Sequence, residues 1–293
     1  MDRTKTFGVI TLLLLLTGCG RPADQIVVAS KNFTEQVILG EIISQHLEHR
    51  LGKKVVRRLN LGGTLIAHQA LVTGEIDLYP EYTGTGAAAI LKQDAPKSSA
   101  ELLRQVRESY RTRFGIEWLD PLGFNNTFAM VVRGDRARAS NLRRISDAAR
   151  EAGGWTLGVG YEFESRQDGL RALDQTYGLH WTARPKTMDL GLLFRALTDS
   201  QVSMIAANST DGLLSKEDFV TLEDDRSAFP AYEACILVRH ELRSKKPQFI
   251  GVLAELSGKL DSRTMQKLNF LVDVEHRPIG DVAAEFLRTL ASR

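Results

Sequence analysis

Short apolar runs alternate with segments of helical periodicity along most of this chain, and this alternation restricts its fold more than any other feature. An apolar run of about four to eight residues is typical of a strand buried in a parallel sheet. Apolar residues three and four positions apart indicate one face of a helix. The first such pair comprises residues 25–30 (QIVVAS) and the segment 36–51, which Gly52 ends.

The same two patterns recur toward the C-terminus and predict the remaining elements. Further strands are predicted at 54–61, 75–79, 127–132, 155–159, 202–207 and 234–238, and further helices at 64–73, from 84, at 102–114, 168–177 and 189–197, and beyond 242. Residues 32–35 (NFTE) resemble a helix start in which the Asn side chain caps the first turn. Strands that alternate with helices predict an α/β protein with parallel sheets.

The charge balance argues against several classes of partner and chemistry. Lys and Arg number 38 against 36 Asp and Glu, and acidic residues dilute the Arg-rich segment 133–150. Because no basic stripe results, no nucleic-acid partner is expected. No P-loop, His-Glu-x-x-His or Cys-x-x-Cys pattern occurs, so no catalytic residue, metal or cofactor is predicted. The length of 293 residues suggests two domains of about 150 residues each.

The N-terminus has the features of an export signal. Arg3 and Lys5 precede an apolar stretch, 7–16, that is shorter than the roughly 20 residues needed to span a bilayer. The following residues 16–19 (LTGC) resemble a bacterial lipobox. We therefore predict a signal peptide over 1–18, lipidation of Cys19 and a tether over 19–25. An ordinary cleaved signal and an N-terminal core helix are the alternatives. A lipidated protein would be extracytoplasmic, in the periplasm or at the cell surface, and anchored to the membrane.

Six motifs follow one another along the rest of the chain. They are 30–36 (SKNFTEQ), 74–85 (GEIDLYPEYTGT), 123–128 (GFNNTF), 166–169 (RQDG), 209–212 (STDG) and 229–232 (FPAY). In this order they resemble the substrate-binding lipoproteins of osmoprotectant ABC importers, which bind glycine betaine, choline or carnitine. The first two motifs are fairly specific, whereas the others gain their weight from the series.

The resemblance implies a two-lobed periplasmic-binding-protein fold of type II with two interdomain crossings. Lobe I would comprise residues 26–130 and 233–293, and lobe II residues 131–232. A solute would bind in the cleft between the lobes, and closure would present both lobes to an ABC permease. The implied protein is a monomer without enzymatic activity.

A quaternary ammonium group has no N–H to donate, so proteins bind it with the faces of aromatic rings. By motif, Tyr82 and Tyr232 fall at ring positions of the family's ligand cage; packing in the core is the alternative for each. Phe128 stands where a Tyr is common; it keeps the ring face without the hydroxyl, and packing in the core is again the alternative. Asn208 also stands where a Tyr is common, but it offers an amide instead of a ring.

A betaine or carnitine also carries a carboxylate, which requires a cationic or N–H donor. By resemblance, Lys31 and Arg166 can supply it from opposite lobes, and Thr85 can add a hydroxyl. The alternatives are a surface Lys31, an Arg166 paired with Glu162 or Glu164, and a Thr85 that only begins a helix.

Three functional alternatives remain beside the capture of an osmoprotectant for import. Phe128 and Asn208 leave room for another small zwitterion, such as an amino acid. An extracytoplasmic enzyme on the same fold is a second alternative, because a fold does not fix a function. A sensor subunit that passes its closed state to a receptor is the third.

Overall fold

The computed structural model describes residues 25–96, 98–216 and 218–291. The predicted signal peptide, the lipidation site Cys19 and all but the last residue of the tether lie outside these ranges. None of the described helices has both the length and the apolar character that a membrane crossing requires.

Strands and helices alternate as the sequence predicts. The strands are β1 (Val27–Ala29), β2 (Val56–Arg58), β3 (Leu78–Tyr82), β4 (Ile116–Trp118), β5 (Phe128–Arg133), β6 (Leu157–Val159), β7 (Lys186–Thr187), β8 (Met204–Asn208), β9 (Phe219–Leu222) and β10 (Ala234–Arg239). The α-helices are α1 (Thr34–Leu51), α2 (Thr64–Thr73), α3 (Thr83–Thr85), α4 (Ser99–Phe114), α5 (Gly134–Ala139), α6 (Ile145–Ala148), α7 (Tyr161–Ser165), α8 (Ala172–Tyr177), α9 (Leu193–Thr198), α10 (His240–Lys245), α11 (Pro247–Ala254), α12 (Ser262–Asp273) and α13 (Ile279–Ala291). Wider helical turns lie at Gly86–Leu91 and Gln167–Arg171, and tighter ones at Leu190–Leu192 and Gly212–Ser215.

The strands form two five-stranded sheets with the same arrangement. The first sheet has the order β2-β1-β3-β10-β4 and the second β7-β6-β8-β5-β9. In each sheet, the fourth position is taken by the strand that the chain forms on arriving from the other sheet: β10 in the first and β5 in the second. The α/β class is therefore confirmed, with the chain passing from the first sheet to the second before β5 and returning before β10.

The prediction of parallel sheets is wrong for these two arriving strands. β10 runs antiparallel to β3 and β4, and β5 runs antiparallel to β8 and β9. An antiparallel neighbour needs no helical crossover, so a strand that enters from the other sheet can insert directly. The division into lobes stays a proposal. Because β5 pairs entirely within the second sheet, the first crossing precedes Phe128.

Helix α1 begins differently from the predicted capping pattern. Its N-cap is Phe33, which makes no side-chain capping bond, and Asn32 lies one residue earlier. Glu35, expected to complete the capping pair, is buried, with 3% of its surface exposed. Its carboxylate is turned inward by four donors, described below, and is therefore unavailable for the helix end.

Candidate ligand-binding cleft

A cavity of about 760 Å³ is lined by residues of both sheets. This volume is within the range of roughly 300–1,000 Å³ that is usual for small-molecule sites. The last residues of β3 and β8 border it, as expected for ligands that bind beyond the carboxyl ends of strands. All the ligand-binding residues predicted from the sequence line this cavity: Lys31, Tyr82, Thr85, Phe128, Arg166, Asn208 and Tyr232. Their roles toward a ligand stay predictions.

The wall formed by the first sheet contains a buried ion pair. The ammonium of Lys31 lies 2.5 Å from an oxygen of Glu81, and the two side chains are 4% and 0% exposed. Tyr79 and the backbone N–H of Tyr82 donate further hydrogen bonds to Glu81. The same ammonium lies 4.8 Å from the centre of the Tyr82 ring. The alternative of a surface lysine is thus wrong, because Lys31 is held by a buried carboxylate beside a ring.

The wall formed by the second sheet repeats this arrangement with an arginine. Arg166 donates two hydrogen bonds to Asp168, at 2.9 and 2.5 Å, in the two-pronged geometry of strong guanidinium–carboxylate pairs. It also donates to Glu162 at 3.3 Å, so the alternative pairing with Glu162 is present. A further bond reaches the hydroxyl of Thr85, at 3.1 Å, and joins this wall to the first.

Aromatic rings from both walls border the cavity. The Tyr82 ring stacks with Phe33, with centres 6.4 Å apart and planes at 24°. Phe128 packs edge-on against Tyr232 and Phe163, at 5.5 and 4.8 Å. Arg166 lies 5.3 Å from the ring centre of Phe128 and 5.7 Å from that of Tyr232. These two groups of rings could surround a methylated cation.

Phe33 and Phe163 line the cleft but were not among the predicted ligand residues. Phe33 lies within the 30–36 motif, two residues after Lys31, so the motif itself could have indicated it. Phe163 lies inside the short helix α7, outside all six motifs, and only the folded chain brings it under Phe128.

A buried carboxylate, Glu35, joins the parts of the molecule that meet at the cleft. It accepts hydrogen bonds from the hydroxyl of Tyr82 at 2.6 Å and from the amide nitrogens of Asn126 at 2.8 Å and Asn269 at 3.1 Å. The hydroxyl of Thr210 is its fourth donor. Burial, which penalises the charged form, raises the pKa of Glu35, although all four donors oppose the rise.

A second acidic side chain, Asp211, lies beside Glu35. Its carboxylate accepts a hydrogen bond from the backbone N–H of Asn208, at 2.9 Å. Burial raises the pKa of Asp211 to about 7, and the negative charges of Glu35 and Asp273 add to the rise. Asp211 belongs to the 209–212 motif, but the sequence did not show that three carboxylates would converge there.

Comparison with known proteins shows likeness over nearly the whole described chain. Residues 24–289 match a family model described as the substrate binding domain of the ABC-type glycine betaine transport system. The carnitine transport binding protein OpuCC of Listeria monocytogenes is 32% identical over 288 residues, which cover 96% of this chain and 93% of the relative. A glycine-betaine-binding protein of Pseudomonas aeruginosa is 36% identical over 276 residues, covering 91% and 88%.

A solved structure shows the same fold. The crystal structure of a glycine betaine/carnitine/choline ABC transporter protein superposes with a TM-score of 0.76 at 27% identity, covering 90% of this chain and 98% of that one. Together with the two matching sheets, this likeness confirms the predicted two-lobed periplasmic-binding-protein fold.

Proposed function

The chain belongs to the family of substrate-binding domains of ABC-type glycine betaine transport systems, and from this premise we propose that it captures a quaternary-ammonium solute for an importer. The solute is of the glycine betaine, choline or carnitine type and binds in the cleft between the lobes. The relatives are transport binding proteins and not enzymes, so the cleft delivers its ligand unchanged to a permease. The comparisons do not favour the alternative of an amino-acid ligand.

The observation that carries this proposal is the charge of the cleft together with its rings. Among the described residues that line it, two are basic, whereas five are acidic: Glu35, Glu162, Asp189, Asp211 and Asp273. Tyr82 and Tyr232, which lie far apart in the sequence, border the same cavity. A negative cavity attracts a cation, and each ring face adds roughly 0.5–2 kcal/mol to the binding of a methylated ammonium.

A ligand carboxylate would be held by the two basic side chains. Lys31 has three N–H groups and donates to Glu81 and to Thr64. Arg166 has five, and its contacts with Asp168, Glu162 and Thr85 use four. Each therefore keeps one N–H for a carboxylate, so glycine betaine and carnitine gain contacts that choline lacks.

Contacts across the cleft provide the means of closure. Glu162 of the second wall accepts hydrogen bonds from the backbone N–H and the hydroxyl of Thr64, at 2.7 and 2.9 Å. These bonds place a carboxylate at the N-terminus of α2, where the helix dipole stabilises negative charge. With the bond between Arg166 and Thr85, they tie the two lobes together. A permease that contacts both lobes would recognise this closed arrangement.

The proposed location is extracytoplasmic, with Cys19 lipidated as the anchor. Cys19→Ala is expected to move the protein from the membrane fraction to the soluble fraction without changing its ligand affinity. Retention of the variant in the membrane fraction would contradict the lipid anchor and would leave the binding proposal standing.

Thermal shift and calorimetry with the mature protein test the ligand class. Choline, glycine betaine, carnitine and proline betaine are each expected to raise the melting temperature, because a ligand that binds only the folded state stabilises it. Amino acids without a quaternary ammonium should not. No shift with any quaternary ammonium compound, or a shift with amino acids alone, would overturn the proposal.

Substitution of Tyr82 tests the contribution of one ring, and substitution of Tyr161 is the matched control. Tyr82 is 4% exposed at the cleft, whereas Tyr161 is 68% exposed at its rim. Tyr82→Ala should weaken glycine betaine binding by about tenfold, which corresponds to one ring face. Tyr161→Ala should change it less than threefold. If the two substitutions weakened glycine betaine binding equally, Tyr82 would not be a ligand-binding residue.

A further inference from the structure

Two buried amide oxygens at the cleft have no hydrogen-bond donor among the described residues. They are Oδ1 of Asn126 and Oδ1 of Asn269. The two residues are 8% and 2% exposed, and both line the cavity. Native proteins rarely leave such acceptors unpaired, because burial removes their water without replacing it.

The orientation of both amides follows from their shared partner. The amide nitrogen of each donates to Glu35. Turning either amide around would place its oxygen against the carboxylate, so the oxygens must face away from Glu35. The carboxylate is itself fully used, since two donors reach each of its oxygens.

Two further carboxylates line this end of the cleft. Asp211 is partly exposed to the cleft, and Asp273 lies at the rim, where the hydroxyl of Thr34 donates to it at 2.6 Å. Together, Glu35, Asn126, Asp211, Asn269 and Asp273 form what we call the acceptor end of the cleft. The two basic residues of the cleft are paired elsewhere, with Glu81 and Asp168.

Because carboxylates and unpaired amide oxygens predominate at this end, it favours a cation with N–H groups. A trimethylammonium group cannot meet this demand because it has no N–H. A primary ammonium has three donors and a guanidinium five, in addition to the positive charge. The chemistry of the acceptor end thus differs from that of the ring-lined part of the cleft.

The acceptor end adjoins the rings closely enough for one ligand to contact both. Asn208 lies directly opposite Phe128 in the sheet ladder, and its backbone N–H bonds Asp211. The hydroxyl of Tyr82 bonds Glu35. The cavity of about 760 Å³ is also in the upper part of the range for drug-sized ligands, which is more than a small osmolyte fills.

We propose that the cleft takes a betaine that carries a second, protonated amine or guanidinium. The rings hold the trimethylammonium group, and the acceptor end holds the N–H donors of the second group. This proposal rests on the proposed function and narrows its ligand class.

Two betaines that differ in the terminal amine test the proposal. Calorimetry at pH 8 would compare Nα-trimethyl-lysine with Nα-trimethyl-norleucine, which has the same head group and a similar chain without the ammonium. We expect the lysine betaine to bind at least tenfold more tightly. Asp211→Asn, which keeps the shape and removes the charge, should reduce this ratio to less than threefold.

Asp199→Asn is the matched control, because Asp199 is an exposed aspartate of the second-sheet region that pairs with Arg195 at the surface. It should leave the ratio unchanged, and the melting temperatures of both variants exclude loss of folding as the cause. Equal affinity for the two betaines, or an unchanged ratio in Asp211→Asn, would overturn the proposal.

The outcome also separates this proposal from the one on which it rests. If glycine betaine and the norleucine betaine bind but the lysine amine adds no affinity, only the proposal that the acceptor end binds a second protonated group is refuted. If none of the betaines binds, the quaternary-ammonium function falls as well. A crystal structure in which ordered waters satisfy both amide oxygens while the amine of the lysine betaine points to solvent would likewise refute it.

Discussion

Each sheet lends the cleft two residues at equivalent strand ends, and these two pairs, which we call the two rims, carry different side chains. Tyr82 is the last residue of β3, and Asn208 is the last residue of its counterpart β8. Tyr232 precedes the arriving strand β10 by two residues, and Asn126 precedes the arriving strand β5 by the same number. The first sheet thus presents two tyrosines where the second presents two asparagines.

The difference shows that the repeated topology fixes positions but not chemistry. Each wall keeps a buried cation beside a buried carboxylate, Lys31 with Glu81 and Arg166 with Asp168. At these four positions the first sheet carries rings and the second carries amide groups, although Phe128 and Phe163 also bring ring faces to the second wall. A ligand that is methylated at one end and rich in donors at the other would match this asymmetry.

The largest expected effect comes from the residue that joins the two rims. Glu35→Ala removes the acceptor shared by Tyr82, Asn126, Thr210 and Asn269. Four buried donors would lose their partner, and each unsatisfied buried group costs about 1–3 kcal/mol, partly relieved by entering water. We expect the free energy of unfolding to fall by at least about 3 kcal/mol, as measured by urea denaturation.

The control is a glutamate on another helix whose side chain faces solvent. Glu108→Ala, in α4, should change the free energy of unfolding by less than about 0.5 kcal/mol. A loss below about 1 kcal/mol in Glu35→Ala would mean that the four donors find other partners. The two rims would then be joined by packing alone.

An intermediate effect is expected from making the rims alike. Asn208→Tyr places a ring opposite Phe128 and should increase choline affinity roughly threefold to thirtyfold, the equivalent of one ring face. Calorimetry measures this change. Asn208→Leu is the control, since it adds apolar volume without a ring face. An equal gain with Leu, or a loss with Tyr, would show that the second rim does not contact the methylated cation.

The sequence predicts that Tyr82 and Asn208 line the cleft because each lies in or beside a stretch that resembles the family, 74–85 and 209–212. The apolar runs are expected to end at residues 79 and 207, whereas β3 and β8 extend to Tyr82 and Asn208. The order of α and β elements follows from the same patterns. The direction of β5 and β10 does not, since an arriving strand reads like any other buried run.

The contents of the acceptor end could not be predicted in the same way. Glu35 reads as a helix-start residue until its donors are known, and these come from positions as distant as 126, 210 and 269. Asn269 lies on an amphipathic helix, where an Asn normally faces water. Its burial against Glu35 depends on how α12 packs on the turn Gly212–Ser215, where a methyl group added to Gly212 would lie 2.4 Å from the backbone of Phe270.

The smallest expected effect is the pH dependence of the acceptor end, which tests whether its charge selects the ligand. The pKa of Asp211 is raised to about 7 by burial first and by Glu35 and Asp273 second. A bound cation favours the ionised form, so protonation of Asp211 weakens binding. Affinity for the lysine betaine should therefore fall about threefold to tenfold from pH 8 to pH 6, while its own amine stays charged. Burial also raises the pKa of Asp273, so protonation of that side chain would act in the same direction. Asp211→Asn isolates the contribution of Asp211 and should reduce the pH dependence; an undiminished dependence in that variant would show that Asp211 does not contact the donor group.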